Sequence, residues 1–324
     1  MKTKFNQKPV IQFVFTILLF FVFFTAHAQL KGGHILGAMG LQSGTQAPEN
    51  TLSVYVPGYL YDACTLRNSD GDEALANPDI TMFITGAGAS YVSDFKILGA
   101  NYGATILLAF ASNTIQGNSV DSKNSLAFTD MFLQPVQLGW HTKKADFVFS
   151  YSLYLPTGRF TAGASDNAGL GMYMNEFSAG TTLFFNDKKT FHFSTLVGYE
   201  INGKKKDTDI KTGDILSIEG GLGKTFYMLN AEKTAPKSIL NAGLIYYLQY
   251  KVSNDKIPFG NIVLEPDKDK VAGLGAEVNY FHIGCRTSAG LRWVSELSAE
   301  SRFQGNTFFL TLAHVFSLSK EKKG

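Results

Sequence analysis

The sequence predicts an all-β chain that closes as a transmembrane antiparallel β-barrel of about twelve strands. Three observations predict it: segments that alternate apolar with polar or glycine residues, connections that alternate between short and long, and no apolar run after residue 28 long enough for a spanning helix. Composition agrees. Of 324 residues, 17% are charged and 13% aromatic, with 32 Gly and 27 Phe, which excludes the polar, highly charged signature of disorder. Two Cys (Cys64 and Cys285) staple no scaffold, and 29 basic against 27 acidic residues leave no surplus for nucleic acid.

Residues 1–28 read as a cleaved export signal. Lys2, Lys4 and Lys8 precede an apolar stretch from Val10 to Phe24, and Ala26-His27-Ala28 supplies the small-residue cleavage site. A retained anchor helix is the alternative, for which this core is short. Cleavage before Gln29 removes three Lys and no acid, so the mature charge is 26 − 27 = −1. Residues 29–50 follow as a glycine-rich segment before the first strand, on the periplasmic side. It reads either as a periplasmic tail or as a plug folded into the lumen. Gly32, Gly33, His34, Gly37, Gly40 and Gly44 are the plug candidates, since glycine permits a tight backbone path.

The barrel is expected over 51–316, with strands at 51–62, 80–92, 96–112, 129–141, 145–156, 174–185, 190–202, 213–227, 239–251, 272–282, 285–297 and 306–316. The seventh of these shows the pattern. Phe191, Phe193, Val197, Tyr199 and Ile201 face one way, opposed by His192, Ser194, Gly198, Glu200 and Asn202. A soluble sandwich would also alternate, so the connections decide. After odd strands they run 17, 16, 17, 10, 20 and 8 residues, and after even strands 3, 3, 4, 11 and 2. Short periplasmic turns and long extracellular loops are the barrel asymmetry, and twelve strands return both termini to the periplasm. Trp140, Tyr154, Tyr199, Phe226, Tyr250 and Tyr280 fall near strand ends, where aromatic girdles sit. The last strand closes on Phe316, leaving 317–324 as a tail.

Parity places Glu176, His192, Glu200, Glu219, Glu277, Arg292 and Glu296 in the lumen, where charge can be solvated or paired. Glu200, Glu219, Glu277, Arg292 and Glu296 are the selectivity candidates. Arg292 and Glu296 share a face about 13 Å apart, too far to pair, so Arg292 is expected to meet a neighbouring strand's carboxylate, Glu277 being nearest in sequence. Such residues make either a selectivity-setting constriction or a rigidifying salt-bridge ladder. Cys64 and Cys285 belong at opposite ends of the barrel, beyond disulfide reach.

Enzyme signals are thin. His192-Phe193-Ser194 has the His-x-Ser spacing of outer-membrane lipid hydrolases, but its parity faces the lumen rather than lipid. Gly220-Gly221-Leu222-Gly223-Lys224-Thr225 imitates a phosphate loop, and fails because Ile218 stands where glycine is required. The mature His residues lack metal-ligand spacing. Asp207, Asp209, Asp214 and Asn202 share one outer loop, read either as a site for Ca²⁺ or lipopolysaccharide-bridging cations, or as solvated charge. No catalytic residue, cofactor or metal is expected.

Several stretches together resemble the outer-membrane barrel family named for the meta-pathway of phenol degradation, a group assigned to transport. They are Gly32-Gly33-His34 with Gly37, Gly40, Leu41 and Gly44; Gln134-Pro135 with Leu138-Gly139-Trp140; Pro156-Thr157-Gly158; and Gly198-Tyr199-Glu200-Ile201-Asn202 with Thr208-Asp209 and Gly213-Asp214. Gln249, Arg292 with Glu296, and Arg302 with Gln304-Gly305 complete the match, while the polar loop 161–169 is particular to this chain. The resemblance implies a Gram-negative outer-membrane barrel, monomeric or weakly oligomeric. Its role would be passive passage of small hydrophobic or aromatic compounds. The alternative is a non-conducting structural or interaction barrel, with a lipid hydrolase as a third reading. Expected partners are outer-membrane lipid and lipopolysaccharide, the barrel-assembly machinery and small hydrophobic solutes.

Overall fold

The computed structural model describes residues 32–75, 78–117, 120–164, 166–232, 234–260 and 262–318, so the expected export signal lies outside the described residues. Alternating apolar residues fold into twelve long strands: β1 (Thr51–Arg67), β3 (Asp79–Ile97), β4 (Ala100–Gly117), β6 (Met131–His141), β7 (Ala145–Leu155), β8 (Met174–Phe184), β9 (Phe191–Asn202), β10 (Ile215–Leu229), β11 (Pro236–Lys251), β14 (Lys270–His282), β15 (Thr287–Glu300) and β16 (Phe303–Ser317). Each pairs antiparallel with its neighbour, and β16 closes on β1 from Thr51↔Ser317 to Leu66↔Phe303. The result is a closed barrel without a free sheet edge around its girth. All twelve expected strands are present.

Four short strands go beyond that expectation. β2 (Glu73–Leu75) extends β1, β5 (Val120–Phe128) pairs with the upper half of β4, and β12 (Ile257–Phe259) pairs with β13 (Ile262–Leu264) as a separate hairpin. The short connections are 98–99, 142–144, 185–190, 230–235 and 283–286. At 98–99 the turn is tighter than the expected 93–95. Leu98 and Gly99 both take positive φ (51° and 79°), the two-residue geometry that matches strand twist. The last outer connection departs most: strands continue to Glu300 and resume at Phe303, leaving only 301–302 where eight residues were expected.

Side-chain parity sorts the barrel into a lipid-type exterior and a polar interior. On β9, His192, Ser194, Leu196, Gly198, Glu200 and Asn202 are buried while Phe191, Val197, Tyr199 and Ile201 are exposed. Exposed Leu108, Phe149, Phe177, Leu222, Leu274 and Leu291 continue that apolar band around the wall. A continuous apolar exterior of this kind matches hydrocarbon rather than water. Twelve residues of β9 at about 3.3 Å each, tilted by about 45°, rise close to a hydrocarbon thickness. Of the expected girdle, Tyr199, Phe226, Tyr250 and Tyr280 are exposed. Tyr154 is a correction: it is buried inside, its hydroxyl donating to Glu176 at 2.8 Å. It shares the parity of Ser150 and Ser152 rather than that of Phe149 and Leu153.

Candidate functional site

Residues 32–46 run inside the barrel, and 47–49 are exposed at the rim where the segment meets β1. Gly32 lies against Glu200 and Ile215 at the long-loop end, and the segment descends until β1 begins at the short-turn end. It therefore starts at the far mouth and crosses the lumen, rather than lying wholly on the side where β1 begins. Leu36 packs with Ile245, Tyr247, Val271 and Val294 of β11, β14 and β15, and Ile35 and Ala38 pack with the cluster of Tyr59 and Phe309 on the adjoining β1 and β16. Gly44 sits so close to the Thr181 backbone that a Cβ would overlap it, and a Cβ on Gly40 would overlap the Glu277 carboxylate. At these two positions glycine is a condition of the path.

Wall carboxylates bind this segment by its backbone. Glu200 Oε2 accepts the Gly33 and His34 N–H groups, each at 2.9 Å. Glu219 accepts Gly37 N–H at 3.2 Å and Met39 N–H at 2.9 Å. Glu277 accepts Leu41 N–H at 2.7 Å. His34 lies between two strands, with Nδ1 3.0 Å from Glu176 and Nε2 2.7 Å from Glu219. Only the imidazolium donates from both ring nitrogens, so this geometry selects the charged form. Glu176 and Glu200 face each other in register across β8 and β9, and Glu219 follows on β10 four residues beyond Ile215, the register partner of Glu200.

The other lumen candidates form two further groups. Arg292 Nε lies 3.0 Å from Glu277, directly opposite it in register, and its Nη1 donates to the Ala38 carbonyl at 2.6 Å. Glu296 is separate from this pair. It accepts from Tyr61 at 2.9 Å, Tyr247 at 3.0 Å and Gly305 N–H at 2.7 Å, and stands 3.6 Å from Arg302. Arg302 also reaches Gln249 and Asp269, and Lys251 is buried between Asp255 and Asp269. Sequence reasoning missed Tyr154, Arg302 and Lys251 as lumen groups. Parity was the available signal for Tyr154 and for Lys251, the last residue of the expected 239–251 strand; Arg302 falls in the expected 298–305 connection.

The remaining motifs do not assemble a site. His192 and Ser194 are fully buried in the lumen, but two residues apart on one strand they stand about 6.6 Å from each other, and Ser194 Oγ instead donates to the Gly40 carbonyl at 3.5 Å. The His-x-Ser spacing noted in the sequence thus does not make a hydrogen-bonded pair. Asp209 pairs with Lys204 at 3.0 Å and Asp214 accepts Asn202 N–H at 3.2 Å; no metal-holding group occurs among the described residues. The 161–169 loop folds on itself through Arg159–Asp166 and Asn167–Thr161 contacts. Both cysteines are free.

A hollow of about 620 Å³ lies in the wall at β1, β3, β14, β15 and β16. Its lining is largely apolar, including Val56, Leu60, Phe83, Leu291, Trp293 and Phe308, and it reaches Tyr59 and Arg292 of the inward face. Here β1–β3 pairing lapses at Val56 and Pro57 and resumes at Gly58, since proline has no N–H to offer. A Cβ at Gly58 would meet nothing nearer than 3.8 Å.

The sequence matches the family described as "Putative MetA-pathway of phenol degradation" over residues 64–312. Among solved structures the chain is similar to the COG4313 outer membrane channel from Pseudomonas putida F1, with TM-score 0.67 and 11% identity, covering 87% of this chain and 100% of that one. The beta domain of the Bordetella autotransporter BrkA follows with TM-score 0.46 and 11% identity, over 82% of this chain and 100% of that one. A Pseudomonas aeruginosa FadL homologue has TM-score 0.34 and 10% identity, over 83% and 91%. No curated protein matches by sequence.

Proposed function

The chain belongs to the phenol-degradation family that its sequence matches, and from that premise we propose that it is an outer-membrane channel for passive passage of small hydrophobic or aromatic compounds. The wall hollow carries this reading. The lumen is occupied by residues 32–46 and lined with carboxylates, which disfavours an apolar solute along the axis. The hollow, at about 620 Å³, has small-ligand size and an apolar lining open to the membrane-facing surface. The mature chain starts at Gln29 once the export signal is removed.

Gly58→Phe tests it by filling the hollow from a position with open space. Uptake of a monoaromatic hydrocarbon into proteoliposomes should fall about fivefold, the equivalent of losing about 1 kcal/mol of apolar contact. Wild-type uptake no faster than that of barrel-free vesicles would sink the channel reading. The segment bonded across the lumen favours a second reading, a non-conducting interaction barrel, which that same outcome would support.

A further inference from the structure

We infer that the barrel lumen holds a binding site for a small organic cation, formed by Glu176, Glu200 and Glu219, which the His34 side chain occupies as a tethered ligand. This rests on the channel reading for its physiological use, but the site itself stands on side-chain geometry. The imidazolium ring is held at both nitrogens by carboxylates of β8 and β10, at 3.0 and 2.7 Å, with Glu200 of the intervening β9 beneath the Gly33–His34 backbone. Tyr154 donates to Glu176 from the fourth side.

Charge arithmetic sets this cluster apart from the rest of the lumen. Arg292 is committed to Glu277, and Arg302 to Glu296 and Asp269. Three glutamate side chains thus meet one histidine, the only basic side chain they contact among the described residues. Glu200 is 2% exposed, and its Oε1 has no hydrogen-bond partner among the described residues. A buried carboxylate oxygen with an unused acceptor points to a donor beyond those the segment supplies. When residues 32–44 leave the lumen, one cation and four backbone N–H donors leave the three carboxylates together. What remains is a carboxylate ring inside a narrow barrel, the arrangement by which pores select cations.

The test uses full-length His34→Ala, checked for folding by heat-modifiable gel mobility. Imidazolium, added at about pH 5.5 where free imidazole is protonated, should raise the unfolding temperature of this variant. It should leave wild type and His34→Ala/Glu176→Gln/Glu219→Gln unmoved, as should pyrrole, a neutral ring of similar size, with all three proteins. In planar bilayers, His34→Ala should pass K⁺ about fivefold or more over Cl⁻, and Gln at all three glutamates should bring that ratio near one. Equal stabilisation by pyrrole, or none by imidazolium, overturns the site. Conductance without cation preference overturns its selectivity role while leaving the channel reading intact. Stabilisation by imidazolium in a barrel that never conducts supports the site and overturns its selectivity role, while hydrocarbon uptake, which does not depend on ionic current, decides the channel reading.

Discussion

Single residues fix the outer loops as firmly as they fix the lumen. Asp130, in the connection between β5 and β6, accepts Gly158 N–H at 3.0 Å and Leu170 N–H at 2.7 Å, so one carboxylate ties both ends of the 156–173 loop to the barrel rim. Asp130→Ala should cost about 1–3 kcal/mol of local stability by stranding two donors. Faster amide exchange at Leu170 and quicker proteolysis within 156–173 would register it. Burial raises the Asp130 carboxyl above its ordinary value, only partly offset by the Leu170 and Gly158 N–H groups. A raised folded-state value means that docking is strongest below the ordinary Asp range, near pH 4, and weakens as pH rises through the folded value. Exchange at Leu170 should therefore quicken beyond its intrinsic pH trend across that window, and a loop whose protection tightens with rising pH would contradict the sign. Inside the barrel, Gly40→Ala would press a methyl into the Glu277–Arg292 pair. A loss of about 1–3 kcal/mol in unfolding free energy is expected, read by heat-modifiable mobility.

At the scale of elements, the twelve wall strands were legible because period 2 is a local signal, repeated over ten or more residues in each of them. β2, β12 and β13 were not, because each has three residues, too few for a period, and β5 lies where an outer loop was expected. The candidate site divides the same way. Parity alone placed Glu200, Glu219, Glu277, Arg292 and Glu296 on the inner face, and adjacency in the chain pointed Arg292 to Glu277. Nothing local could pair Gly33 with Glu200 or Met39 with Glu219, contacts separated by 167 and 180 residues. The glycines of 32–44 signalled a tight path but not its direction. As a plug, the segment has a direct test. Deleting 32–44 removes its links to Glu200, Glu219 and Glu277 together, and should produce larger single-channel openings than wild type shows. Unchanged conductance in a folded deletion would mean that the segment fills the lumen without gating it.

For the molecule as a whole, closure converts a set of hairpins into one cooperative unit, because no strand can leave without exposing two rows of backbone groups to hydrocarbon. The closing seam is the place to test this. Tyr55 to Thr51 pair with Ala313 to Ser317, and Leu318 N–H adds a bond to the Asn50 carbonyl at 2.7 Å, where the lumen segment passes into β1. Truncation after Leu312 would leave those five residues of β1 without their β16 partners at the short-turn end, each stranded group costing several kcal/mol in hydrocarbon. Against a total stability of about 5–15 kcal/mol, that loss is not local. Such a protein should lose heat-modifiable mobility altogether, and the regions around Tyr59, further up the same seam, and Trp293 on the neighbouring β15 should become accessible to protease. Truncation after Leu318 keeps every one of these pairs and should migrate as wild type. Should the shorter protein instead fray only below Tyr55, with the upper barrel and its lumen segment still protected, the barrel would be a chain of independent hairpins. In that case the carboxylate network of the lumen, rather than closure, would be what holds the upper half together.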